Sequence, residues 1–174
     1  MRKTVLGVLI GVLSVACSST LTTNVDYDHT IDWSAFHTFQ LRTGTPSPVT
    51  FTQKRIEDAI TSNLTAKGWQ AVTSDPDIEV FSHVALSSEK QWNAMSMGGF
   101  GYRGWGGMGG MATATQTNIP IGTLIVDLVN PKTKEMVWRG IAQDQVSANG
   151  AQKGQTDEAV AALFKNFPPG SAGK

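Results

Sequence analysis

Two apolar segments, residues 122–129 and 136–146, are separated by Asn130-Pro131-Lys132-Thr133-Lys134-Glu135. Both alternate and are rich in Val, Ile and Leu, so they read as the strands of one antiparallel hairpin. The register can be argued from chemistry. A three-residue loop, Lys132-Thr133-Lys134, pairs Pro131 with Glu135. It then sets Leu128 opposite Trp138, Asp127 opposite Arg139 and Ile125 opposite Ile141. Apolar meets apolar and acid meets base, and a slip of one residue would destroy both matches. The same loop demands a positive φ at Lys134, a conformation that suits glycine better.

The rest of the chain supplies partners for that hairpin. Residues 22–27 and 37–41 alternate as strands, with a single helical turn expected over 31–36. Residues 69–72 form a short strand, and 78–89 a long one that Trp92 extends. In the long strand Ile78, Val80, Ser82, Val84 and Leu86 share one face. Residues 50–67 give the clearest helix, with Ile56, Ala59, Ile60, Asn63 and Leu64 on one side. Thr50-Phe51-Thr52-Gln53 has capping-box spacing at its start, and Gly68-Trp69 supplies a left-handed C′ residue with an apolar follower. Residues 155–166 form a second helix, with Thr156 as N-cap and Val160, Leu163, Phe164 and Phe167 as its stripe. The expectation is an α/β (α+β) two-layer sandwich. Its sheet is mixed and mostly antiparallel, with about six strands and two helices on one face. A crossover helix makes strands 37–41 and 69–72 parallel.

Residues 1–17 set the compartment. Arg2-Lys3 precede an apolar run to Val15, and Ala16-Cys17 closes it. This is the layout of a secretory signal. The 13 residues from Thr4 to Ala16 span about 20 Å as a helix, short of the roughly 30 Å bilayer core. Cys17 is the only cysteine. Leu13-Ser14-Val15-Ala16-Cys17 resembles a lipobox, with Ser14 where leucine is usual. The reading is a signal peptide over 1–16, a lipidated tether over 17–21 and one domain over 22–168. The domain carries a glycine-rich insertion at 96–118, and a disordered tail occupies 169–174. A plain secreted protein is the alternative. By resemblance to enterobacterial lipoprotein sorting, Ser18 after the cysteine favours the outer membrane over inner-membrane retention, so the expected location is the cell envelope, lipid-anchored on the periplasmic side. Loss of Arg2 and Lys3 leaves 12 basic against 14 acidic residues, with no basic cluster, which argues against nucleic acid as a partner.

Residues 98–111 hold eight glycines, interleaved with Phe100, Tyr102, Trp105 and Met108. Gly99-Phe100-Gly101-Tyr102-Arg103-Gly104 matches a dinucleotide fingerprint only literally, because so many glycines cannot open the helix that a pyrophosphate needs. The stretch reads either as a flexible insertion or as an arm whose aromatics and methionines touch a partner, lipid or peptidoglycan. His29, His37 and His83 lack metal-ligand spacing. Asp26, Asp28 and Asp32 lack the glycine-bearing loop of a calcium site. No Ser-His-Asp set can be nominated, so no catalytic residue, metal ligand or cofactor is assigned.

A family resemblance runs through the same landmarks. Val25-Asp26-Tyr27-Asp28 comes first, then Trp33-Ser34-Ala35-Phe36-His37-Thr38-Phe39, Leu64-Thr65-Ala66-Lys67-Gly68-Trp69 and Pro76-Asp77-Ile78-Glu79-Val80. The hairpin residues 122–134 and Val137-Trp138-Arg139-Gly140 complete the series. In this order they resemble the bacterial lipoproteins of domain of unknown function 4136. Asn130 and Lys134 depart from the Asp and Gly common there. The resemblance implies a periplasm-facing envelope lipoprotein and carries no activity with it. The functional expectation is a non-enzymatic binding or assembly module held to the bilayer by acyl chains on Cys17. Its partner would be an envelope protein or peptidoglycan, reached by the arm of Phe100, Tyr102, Trp105 and Met108. The alternative is a hydrolase or other enzyme acting on envelope material.

Overall fold

A computed structural model describes residues 21–95, 113–147 and 149–169. The expected signal peptide, Cys17, the arm residues Phe100 to Met108 and the tail from residue 170 lie outside the described residues. Six strands form one sheet in the order β1-β6-β5-β4-β2-β3. They are β1 (Thr22–Tyr27), β2 (Thr38–Thr43), β3 (Gln70–Ala71), β4 (Ile78–Met95), β5 (Thr113–Val129) and β6 (Met136–Gln145). Helices α1 (Thr50–Ala66) and α2 (Lys153–Leu163) cover one face. A 3-10 turn at Trp33–Ala35 precedes β2, where a single helical turn is expected from the sequence. The fold is α+β, with a mixed sheet that does not close.

The hairpin register is the one that the side chains demand. Asp127 faces Arg139, Leu128 faces Trp138 and Ile125 faces Ile141. Lys134 carries the positive φ, at 64°. The turn itself differs from expectation. Asn130 N–H donates to Glu135 O, so Asn130 rather than Pro131 closes it against Glu135. A register shift between Leu128 and Val129 absorbs the difference. The bulge also explains why neighbours Val137 and Trp138 are both buried, which regular alternation forbids.

The crossover through α1 makes β2 and β3 parallel, with Thr38 opposite Gln70 and Phe39 opposite Ala71. Helix α1 ends as its sequence requires. Gly68 N–H donates to Thr65 O and Trp69 N–H to Leu64 O, with Gly68 at φ 88°. Trp69 then folds into the core. Both helix starts differ from expectation. Val49, not Thr50, is the N-cap of α1, and Gln53 Oε1 reaches back past it to accept from Ser47 N–H. Gln152, not Thr156, is the N-cap of α2, in a reciprocal capping box with Gln155. Thr156 sits one turn in, buried, its hydroxyl donating back to Gln152 O. The helix is correspondingly shorter at its far end, stopping at Leu163 rather than 166.

The core lies between the sheet and the two helices. Trp138 stacks on Phe164 with ring centroids 5.2 Å apart and an 11° interplanar angle. Phe167 meets Trp33, Trp69, Trp138 and Phe164 edge-on. The apolar residues Val160, Leu163, Phe164 and Phe167, which run from α2 into the segment after it, are thereby buried. Asp77 fastens the opening of β2 to that of β4. Its carboxylate accepts from His37 N–H, Thr38 N–H and Thr38 Oγ1. Those bonds, led by the one from His37, hold its pKa below the usual carboxylate value.

Candidate functional site

Three features could carry function: the uncovered sheet face, a cleft under the helix starts, and the outer part of the β4–β5 hairpin. On the uncovered face, Arg139 grips Asp127 in a bidentate pair, Nε to Oδ1 at 2.6 Å and Nη2 to Oδ2 at 2.7 Å. The hydrogen bond to Asp127 raises the Arg139 pKa further, against the cost of desolvation. His83 Nε2 stands 3.7 Å from Asp127 Oδ2. On the other side of the ring, Nδ1 accepts from Thr45 N–H at 3.0 Å and lies 3.3 Å from Thr45 Oγ1. The backbone bond makes Nδ1 the acceptor and leaves the proton of the neutral ring on Nε2, toward Asp127.

A Thr-His-Asp sequence of groups is therefore assembled, in strand register, from residues far apart in the chain. As chemistry it is poorly poised. A base must be free to take the hydroxyl proton, and here the Thr45 amide already occupies the accepting nitrogen. The orienting carboxylate is committed to Arg139, and 3.7 Å exceeds hydrogen-bond reach. The constellation works as a cross-strand ion pair with a histidine packed beside it.

The other sequence candidates stay apart. Asp28 accepts from Thr30 N–H and Oγ1, and Asp32 from Ser34 N–H and Oγ, each within its own tight turn. These bonds lower both carboxyl pKa values. Asp26 faces Arg139 in the β1–β6 register, and Asp28 follows β1 directly, its N–H donating to Val137 O. His29 packs against Tyr27. His37 offers its backbone N–H to Asp77. Among the described residues, no three His, Cys, Asp or Glu side chains are grouped to hold a metal.

The two helices start side by side, with Arg55 Nη1 donating to Ala151 O. Beneath them a cleft of about 50 Å³ runs between Thr52, Ile56, Leu86, Leu124, Val146 and Thr156. The Thr52 hydroxyl is buried in its wall without a protein hydrogen-bond partner. A space of this size takes a few waters or a small apolar group.

The hairpin β4–β5 is the least expected feature. Its strands stay paired from Glu79–Val129 out to Met95–Thr113, into the segment 96–118 read from sequence as insertion. Their neighbours stop much earlier. The β2–β4 ladder ends at Thr43–Ser82 and the β5–β6 ladder at Ile121–Gln145. From Ser88–Pro120 outward the two strands form a ribbon with no third strand among the described residues, exposed at Ser88, Glu89 and Lys90 and at Gln116, Thr117 and Asn118. Residues 113–118 are small or polar, without an apolar face, so periodicity alone reads them as loop.

A family model described as "Domain of unknown function (DUF4136)" matches residues 23–169. The chain belongs to the DUF4136 family. The DUF4136 fold is also similar to solved structures at low identity. One is a PDZ domain protein from Parabacteroides distasonis, at 13% identity and a TM-score of 0.55, covering 90% of this chain and 37% of that one. Another is the PelC dodecamer from Paraburkholderia phytofirmans, at 8% identity and a TM-score of 0.51, covering 83% of this chain and 94% of that one. The chain thus spans little more than a third of the first structure, and the likeness in both cases is one of fold. No curated protein matches the sequence.

Proposed function

We propose that this DUF4136 chain is a non-enzymatic module of the bacterial cell envelope, anchored by acyl chains on Cys17 to the periplasmic side of the outer membrane. The observation that carries the reading is the position of Leu21. It already packs against the core, only four residues after the lone cysteine, so the tether is short and the domain is held close to its anchor. The arm bearing Phe100, Tyr102, Trp105 and Met108 is the contact element, toward an envelope protein or peptidoglycan. The occupied state of His83 and the commitment of Asp127 to Arg139 support binding over catalysis as the role of the uncovered face.

Acyl anchoring has a simple energetic test. Each buried methylene contributes about 0.8 kcal/mol, and two chains together hold a protein stably where one does not. A Cys17→Ser chain is expected to move from the membrane fraction to the soluble fraction and to lose labelled fatty acid. Continued membrane fractionation of that variant, with no fatty-acid label on the parent chain, would sink the reading.

A further inference from the structure

The sheet ends differently at its two edges. At one edge β3 is only two residues long, Gln70–Ala71, and the chain after it is tied back to β2 by Gln40 Nε2 donating to Thr73 O. At the other edge β1 runs for six residues, Thr22–Tyr27, with Thr22 to Asp26 all exposed. Natural sheets protect an edge of that length with lysine, proline, a bulge or a covering segment. β1 contains no lysine, no proline and no break in register, and among the described residues no strand lies beyond it. Its one charged residue, Asp26, faces Arg139 of β6.

One bond gives the direction of its backbone groups. Asp28 N–H donates to Val137 O, so the even-numbered residues of β1 turn their N–H and C=O toward β6 and the odd-numbered ones turn theirs outward. Thr23 and Val25 therefore offer a donor and an acceptor each to the open edge. Tyr27 offers its C=O, its N–H being taken by Asp26 Oδ1 at 2.9 Å. The odd-numbered side chains lie on the helix side, where Val25 and Tyr27 border a groove of about 650 Å³ with Trp138, Lys165, Phe167 and Pro169. Val25 is 40% exposed there.

We propose that β1 pairs antiparallel with β1 of a second copy, joining the two sheets across a two-fold axis at Val25. The occupant follows from self-complementarity. An isologous antiparallel partner must present outward-facing residues in step, and an axis at Val25 does this for every outward residue of the strand. Val25 meets its own counterpart, and Thr23 meets the second copy's Tyr27. Thr23 N–H then donates to Tyr27 O and Val25 N–H to Val25 O across the axis, each bond made twice, with the Asp26 cap on Tyr27 left in place. On the opposite face Asn24 meets the second copy's Asp26, an amide donor against a carboxylate, and no like charges are opposed. An axis at Asn24 instead sets Val25 against Thr23 and Asp26 against Thr22, which loses both matches. In the joined sheet the second copy's Thr23 and Val25 side chains run along the groove. An edge of six residues, about 20 Å, is short beside a standard interface of roughly 800 Å² per partner, so the pairing is a reversible one.

The test uses full-length protein oxidised in isolated membranes, as the parent chain and as Val25→Cys, Thr23→Cys and Ala71→Cys. Only residue 25 meets itself, with Cα atoms about 5.5 Å apart, within disulfide reach. Val25→Cys should give a covalent dimer several-fold more abundant than the parent, Thr23→Cys or Ala71→Cys. Val25→Lys serves as the second variant. It sets two ammonium groups against each other across the axis at a position that is exposed in the single copy, so folding should be unchanged. In sedimentation of detergent-extracted protein the parent should show a concentration-dependent dimer, and Val25→Lys should weaken it about tenfold at an unchanged melting temperature. Equal cross-linking at all positions, no dimer from Val25→Cys, or a product of Val25→Cys with a chain of different mass overturns the proposal. So does a parent that sediments as a monomer throughout, or a Val25→Lys chain that associates as the parent does.

Discussion

Replacing Trp138 with alanine should destabilise the domain by about 3–5 kcal/mol, the usual cost of deleting a large buried aromatic. Trp138 is 2% exposed on the helix-facing side of β6. It stacks on Phe164 of the segment following α2 and meets Phe167 edge-on at 5.8 Å. Its removal empties the place where the central strands join α2, and the rigid rings around it cannot collapse to fill the space. Since domains of this kind are stable by only about 5–15 kcal/mol, the loss is a large share of the total. Chemical denaturation should show the midpoint falling steeply with an unchanged slope. A cost under about 1 kcal/mol would mean that the aromatic cluster is not where the stability lies.

The second large effect is expected at Gly140. A Cβ built there falls 2.5 Å from Trp138 Cη2 and 3.1 Å from Leu163 Cδ2. The neighbour is the far edge of an indole held flat against Phe164, which has nowhere to move. Gly140→Ala should therefore cost about 1–3 kcal/mol through overpacking. The two substitutions share one cause, so they should not add. In a Trp138→Ala background, Gly140→Ala should be nearly neutral, a coupling of more than about 0.5 kcal/mol. Additive effects would contradict the account of Gly140 as the site of close approach between strand and ring.

Much of this fold is legible before any coordinates. The Asp127/Arg139 and Leu128/Trp138 matches determine the hairpin register, because only one register satisfies charge and burial together. Gly68-Trp69 announces the end of α1, since a Schellman cap needs a residue free to take positive φ and an apolar follower. The helix starts are misread for a shared reason. A threonine at cap spacing is a local signal, whereas Gln155 reaches back to Gln152 N–H in the capping box of α2, and Gln53 ties the chain at Ser47, ahead of the α1 N-cap. The bulge at Leu128/Val129 is invisible because an inserted residue breaks alternation without leaving a compositional mark. His83 looks like an isolated surface histidine in sequence. Its approach to Thr45 depends on the parallel pairing of β2 with β4, and its approach to Asp127 on the antiparallel pairing of β4 with β5, long-range contacts that no local pattern encodes. The outer ribbon is missed because the residues at its start, Ser88 to Gln91 and Gln116 to Asn118, are polar, so their spacing does not distinguish a free hairpin from a loop.

The proposed function rests on one covalent feature, the state of Cys17. Intact-mass measurement of the protein extracted from membranes reads it directly. The account predicts a chain that begins at Cys17 and carries the added mass of a diacylglyceryl group, with or without a further acyl chain on the new N-terminus. A chain that retains residue 1, or one cut elsewhere with Cys17 as a free thiol, would contradict it.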